Sequence, residues 1–65
     1  MDMDVVESAA RVIKIFEYFA EIRRPATVTE INRALKMPQS STTKILHTLL
    51  KLGYLHLAAT RHLRA

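Results

Sequence analysis

Two prolines and one glycine punctuate this 65-residue chain, and their positions decide what it can fold into. Proline has no amide proton and pushes the residue before it out of the helical region. A helix beginning near the N-terminus therefore ends at Arg23-Arg24-Pro25. Lys36-Met37-Pro38 marks a second break, and Gly53 stands where a residue of positive φ commonly ends a helix. Three helical runs and a short tail follow. That length holds one domain, near the lower limit for a self-sufficient core.

The first run carries a capping-box pattern in Asp4 and Glu7, with Ser8 as an alternative start, and continues to about Ile22. At about 100° per residue, Val5, Ala9, Val12, Ile13, Phe16, Phe19 and Ala20 gather on one stripe. Ile15, Tyr18 and Ile22 lie off it, at the edge of the polar face. The whole apolar arc covers roughly 200°, wider than one buried stripe needs. Ile15, Tyr18 and Ile22 are therefore expected to pack against a second subunit, the alternative being that Tyr18 and Ile22 cap the core from the side.

Thr27-Val28-Thr29-Glu30 is a second capping box, with Thr27 accepting from the third amide of the helix and Glu30 reaching back. This helix is expected over Val28 to about Leu35, burying Val28, Ile31 and Leu35. The third starts around Pro38–Ser40 and runs to Leu52. Beyond Gly53, Tyr54-Leu55-His56-Leu57 and Arg61-His62-Leu63-Arg64 read as two short strands around the turn Ala58-Ala59-Thr60. The fold expected is mostly α with a small β-hairpin, a three-helix winged helix-turn-helix filling residues 1–65. The helix-turn-helix spans about 27–46 and the wing about 54–65, with the second strand cut short at Ala65.

Charge narrows the function classes. The net charge is +4, but all six acids fall in residues 1–30, beside four bases. Residues 31–65 hold six bases, three histidines and no acid. A carboxylate-free stretch of that length presents an unopposed positive field suited to a polyanion. Without cysteine there is no disulfide, zinc-thiolate site or thiol nucleophile, and one glycine makes no phosphate cradle. No run approaches the roughly 18 apolar residues of a membrane span, and the acidic start is unlike a signal peptide. A small, soluble, intracellular, helix-rich domain is expected.

The third helix joins these observations. Thr42, Ile45, Leu46 and Leu49 cluster on one side of the helical wheel and face the core. Ser40, Thr43, Lys44, His47 and Lys51 cluster on the other, without an acid among them. One anchored side and one side of long and short donors is what a helix in the DNA major groove requires. A solvated amphipathic helix is the bland alternative, but exposed helices usually mix Glu with Lys. A protein-interaction or dimerisation module that docks an acidic partner is the competing function.

Residues 8–54 resemble the DNA-binding domain of the IclR family of bacterial transcriptional regulators. The resemblance rests on Ser8-Ala9-Ala10-Arg11-Val12-Ile13-Lys14-Ile15-Phe16, on Thr27-Val28-Thr29-Glu30-Ile31, and on Met37-Pro38-Gln39-Ser40-Ser41-Thr42-Thr43-Lys44-Ile45-Leu46. Thr48-Leu49 and Leu52-Gly53-Tyr54-Leu55 complete it. It implies a cytoplasmic, nucleoid-associated, sequence-specific repressor or activator that dimerises through this domain on a near-palindromic operator. It also implies a larger C-terminal domain, absent from this chain, that binds a small-molecule effector. By match to the family's recognition helix, Gln39, Ser40, Ser41, Thr43, Lys44 and His47 face DNA, and Arg61 and Arg64 reach phosphates or the minor groove.

Two departures from the family pattern have physical content. Lys36 stands where the family usually has glycine, which costs about 1 kcal/mol if the position needs positive φ. Lys44 stands where arginine is common, and lysine gives up the bidentate fork that reads guanine.

Catalysis and metal binding are not expected, and no cofactor is implied. His56 and His62 could face each other across the hairpin, but two histidines without a carboxylate or thiolate make an incomplete site. Ser40-Ser41 with His47 lacks any acid downstream of Glu30 to orient the histidine.

Overall fold

All three helices end on a residue in the left-handed backbone region: Arg23 at φ 53°, Lys36 at φ 52° and Gly53 at φ 88°. A computed structural model describes residues 6–65 and resolves them into α1 (Glu7–Ile22), β1 (Ala26–Thr27), α2 (Val28–Leu35), α3 (Gln39–Leu52), β2 (His56–Ala59) and β3 (His62–Arg64). The expected breaks fall where the prolines and the glycine put them. At the end of α3 the amides of Gly53 and Tyr54 return to the carbonyls of Leu50 and Leu49, at 3.1 and 2.9 Å. Lys36 adopts the conformation that glycine would take without strain.

The start of α1 differs from expectation. Val6 precedes the first helical turn with no side-chain cap, and Ser8 is inside the helix. Asp4 and Val5, named for the cap and the stripe, lie outside the described residues. The second cap is half as expected. Thr27 Oγ1 accepts from the Glu30 amide at 3.1 Å, but the Glu30 carboxylate bonds Arg24 and Tyr18 instead of reaching back.

The face of α1 is also corrected. Ile15 and Phe19 are buried, with Val12, Phe16, Tyr18 and Ile22 packed against the core. Ala9 and Ala20 are exposed, and Ile13 is 57% exposed. Ile15 is therefore sealed inside its own chain and not available to a second subunit, and Tyr18 and Ile22 are half-buried against the same core. An apolar arc of about 200° can seat by either edge. Here Tyr18, 3.0 Å from Glu30, turns the helix toward α2.

The eight buried apolar residues form one cluster: Ile15 and Phe19 of α1, Ala26 of β1, Ile31 of α2, Leu46 and Leu49 of α3, then Leu55 and Leu63. Burying each large aliphatic side chain contributes about 1.5–3 kcal/mol. Every element thus contributes to the core except β2, whose four residues are all exposed.

The tail forms a hairpin, but shifted. Tyr54 and Leu55 spend their amides on Leu49, so the first strand starts later, at His56. The turn is Thr60-Arg61, and a bulge between Leu57 and Ala59 absorbs the extra residue. Arg61 sits at φ 61°, again left-handed. A strand unforeseen from the sequence, β1, pairs antiparallel with β3 through Ala26–Leu63 and Thr27–His62, giving the order β1-β3-β2. Three helices and a small three-stranded antiparallel sheet make a mostly helical winged helix-turn-helix.

Candidate nucleic-acid interface

The face of α3 that is free of the core is built by the helical period. Thr42, Leu46 and Leu49 are buried and Ile45 is half-buried, which turns Ser40, Lys44, His47 and Lys51 to solvent. Gln39 is exposed in the first turn, while Ser41 and Thr43 are half-buried. Thr48, not singled out in the sequence, is also exposed, and its hydroxyl donates to the Lys44 carbonyl at 2.8 Å. The exposed ridge has two flanks. Lys44 borders a cleft shared with α1 beside Val12, and His47 borders a groove shared with the hairpin.

The orientation of this ridge is held by a polar network under the turn. Asn32 Nδ2 donates to the Met37 carbonyl and, at 3.3 Å, to Thr42 Oγ1. Thr42 Oγ1 donates in turn to the Pro38 carbonyl at 2.9 Å. Thr42 is the one buried polar residue among the described residues. Its hydroxyl is satisfied on both sides, so the two bonds offset the cost of taking it out of water. Sequence reasoning placed Thr42 inward but missed Asn32, whose signal is tertiary.

The basic residues of the hairpin separate. Arg61 is at the tip, across the groove from His47. Arg64 is at the base, beside Arg23, Arg24 and Pro25. The two wing arginines named from the sequence therefore stand apart. Nor do the two histidines meet: His56 lies opposite Arg64, and His62 lies opposite Ala59 and Thr27. His62 Nδ1 is 2.7 Å from the Thr60 carbonyl. Among the described residues no group of three or more His, Asp or Glu side chains could hold a metal ion.

The groove between α3 and the hairpin has a volume of about 410 Å³. Its floor is apolar, from Val28, Leu50, Leu57 and Leu63, and its rim carries His47, Arg61 and Thr29. Among the described residues no carboxylate lines it. Glu30, one residue beyond Thr29, is engaged elsewhere: Arg24 and Tyr18 hold it. The Arg24 guanidinium holds the Glu30 carboxyl below its ordinary pKa, against a smaller opposing effect of burial. Burial, followed by the bond to Glu30, pushes the Tyr18 hydroxyl above its ordinary value.

Two comparisons bear on these surfaces. Residues 8–58 match the model of the IclR helix-turn-helix domain. The chain is also similar to a Pca regulon regulatory protein of Pseudomonas putida, with 36% identity over 53 residues. That alignment covers 82% of this chain and 18% of the relative, so the chain spans less than a fifth of that protein.

Proposed function

The chain belongs to the IclR helix-turn-helix family, DNA-binding domains of transcriptional regulators and not enzymes, and on that premise we propose how it engages DNA. The third helix enters the major groove with Ser40, Thr43, Lys44, His47 and Lys51 toward the bases and flanking phosphates. Gln39 and Ser41 stand at its leading end. The wing tip, through Arg61, lies on the adjoining backbone or minor groove. Arg64, at the hairpin base, meets DNA only beyond the contact made by Arg61. The observation that carries this reading is the acid-free exposed ridge of α3 seated on a buried apolar underside. Such a regulator works in the cytoplasm, where the chromosome is.

Two copies acting together would present two third helices about 34 Å apart to a near-palindromic operator. The partner face of α1 is then the outward one. Val6, Ala9, Ile13 and Ala20 are all exposed and recur at spacings of three, four and seven along the helix. That is the seam along which two helices pack. Effector binding would belong to a further domain, as the family resemblance implies.

Selection of bound duplexes from a random pool tests the reading. Enrichment of an inverted repeat is the expected result. Recovery of no duplex at low salt, with capture of an acidic protein instead, would overturn it in favour of a protein-docking winged helix.

A further inference from the structure

We propose that the groove between α3 and the hairpin is a binding site for a small amphipathic anion, a medium-chain monocarboxylate. Its hydrocarbon body lies on the apolar floor and its carboxylate meets Arg61 and His47 at the rim. The site stands on the groove itself. Its consequence, that a bound carboxylate keeps the domain off DNA, rests on the DNA reading above.

The first argument is what contact with DNA leaves unused. Arg61 and His47 are enlisted there for their polar ends alone. Beneath them the floor is aliphatic: Val28 from α2, Leu50 from α3, and Leu57 and Leu63 from the two hairpin strands. Packing does not close this space, since an open volume of about 410 Å³ remains above the floor. Small-molecule sites occupy roughly 300–1,000 Å³ and combine a mostly apolar lining with a few placed polar groups. The groove has both properties.

The second argument is Leu57. It pairs directly with Leu63 across the hairpin, so both side chains project from the same face of the sheet. Leu63 is 2% exposed and Leu57 is 67% exposed. The cover over that face stops between them, and Leu57 is left as open apolar surface beside a basic rim. A simple inorganic anion would satisfy the rim and leave the leucine wet. A ligand with a hydrocarbon part also takes the leucine out of water, and each methylene it buries there favours the complex.

Charge fixes the sign of the head group. Arg61, His47 and Thr29 stand at the rim. The guanidinium is permanently cationic and matches a carboxylate with two parallel hydrogen bonds. His47 presents at least one ring N–H in every protonation state, and Thr29 adds a hydroxyl donor. Glu30, next to Thr29 in sequence, is bonded to Arg24 and so does not oppose an anion there. The left-handed backbone of Arg61, at φ 61°, makes the tight turn that holds this cation at the tip. An amine would meet like charge at this rim, and an alcohol would leave the guanidinium unpaired. Because the same Arg61 and His47 serve the DNA contact, a filled groove and a bound duplex exclude each other.

The test uses the 65-residue chain, with octanoate as the probe and octylammonium as the control of opposite charge. Methyl resonances of Val28, Leu50, Leu57 and Leu63, followed by NMR, are expected to shift saturably with octanoate and not with octylammonium. Leu57→Ser, at an exposed site, should weaken octanoate about five- to tenfold through lost apolar contact. Arg61→Ala should weaken it about three- to fivefold, as for a solvent-exposed charge pair. With octanoate at about ten times its dissociation constant, affinity for a mixed-sequence duplex should fall about tenfold by mass action. The Leu57→Ser chain should lose much less at the same concentration.

Absence of saturable shifts in the groove would overturn the site. So would equal binding of octylammonium, or shifts confined to the cleft beside Lys44, Val12 and Ile45. A chain that dissociates on Leu57→Ser substitution and takes no octanoate in either form would give the groove to a second copy. Octanoate seated in the groove with duplex affinity unaltered would overturn the exclusion. If the chain takes octanoate but shifts no duplex at low salt, the site holds and the DNA reading alone fails.

Discussion

Asn32 Nδ2 donates to Thr42 Oγ1 at 3.3 Å, joining the middle of α2 to the first turn of α3 beneath the tight connection between them. The contact locks the angle at which α3 leaves the body of the domain. Replacing Thr42 by the isosteric Val keeps the volume and strips the bonds from Asn32 and to Pro38. We expect a loss of about 1–3 kcal/mol in urea unfolding, the cost of leaving a half-buried amide and a carbonyl each short of a partner. Affinity for a selected duplex should fall more than affinity for mixed DNA, since reading bases depends on the seating of α3.

Lys36 holds a backbone conformation that costs an L-residue about 1 kcal/mol. Lys36→Gly is therefore expected to raise thermal stability, by no more than about 1 kcal/mol, since glycine loses more entropy on folding. If the side chain also touches a phosphate, the same change weakens binding to every duplex. Calorimetry and titration on one preparation separate the two effects.

Glu30 gives the fold an acid-sensitive joint. Its carboxyl is held below the ordinary value, first by the bond to Arg24, so it stabilises the folded state above the ordinary carboxylate range. That contribution disappears as the pH falls through the depressed folded value. Tyr18 has the opposite sign: its raised value stabilises below the ordinary tyrosine range and is lost as the pH climbs beyond it. Glu30→Gln should flatten the acid limb of a plot of melting temperature against pH. An acid limb unchanged by the substitution would remove Glu30 from its cause.

Lys44 is exposed on the ridge of α3. Lys44→Ala is expected to weaken binding to a selected duplex by about 1–3 kcal/mol and to relax sequence preference at one position. Competition titrations against single-base variants of that duplex measure it. Equal losses on selected and mixed DNA would assign Lys44 to the phosphates.

Ile13 and Tyr18 provide opposite outcomes on one helix. Ile13→Glu, at a site 57% exposed, should abolish self-association in sedimentation and leave the melting temperature within a degree or two. Tyr18→Glu sets a second carboxylate against Glu30 and should instead lower stability.

The helices, their ends and the buried side of α3 were legible because each depends on local rules: proline geometry, a threonine cap, a left-handed stop and a period of about 3.6 residues. What was lost depended on distant partners. Two residues, Ala26 and Thr27, become a strand solely because β3 arrives beside them. The inward face of α1 was misjudged because both edges of a broad apolar arc satisfy periodicity, and the choice is made by Tyr18 meeting Glu30. The hairpin slipped because Tyr54 and Leu55 were already committed to capping α3. At the candidate interface the α3 donors were readable from spacing. The groove, by contrast, assembles residues from α2, α3 and the hairpin, which no single window of sequence contains.

The sheet order also has a mechanical meaning. Because β3 is clasped between β2 and the two residues that lead into α2, the wing is yoked to the start of the helix-turn-helix. Any displacement of β3 is therefore shared between Ala26 and the tip, so the wing cannot shift without disturbing the residues that cap α2.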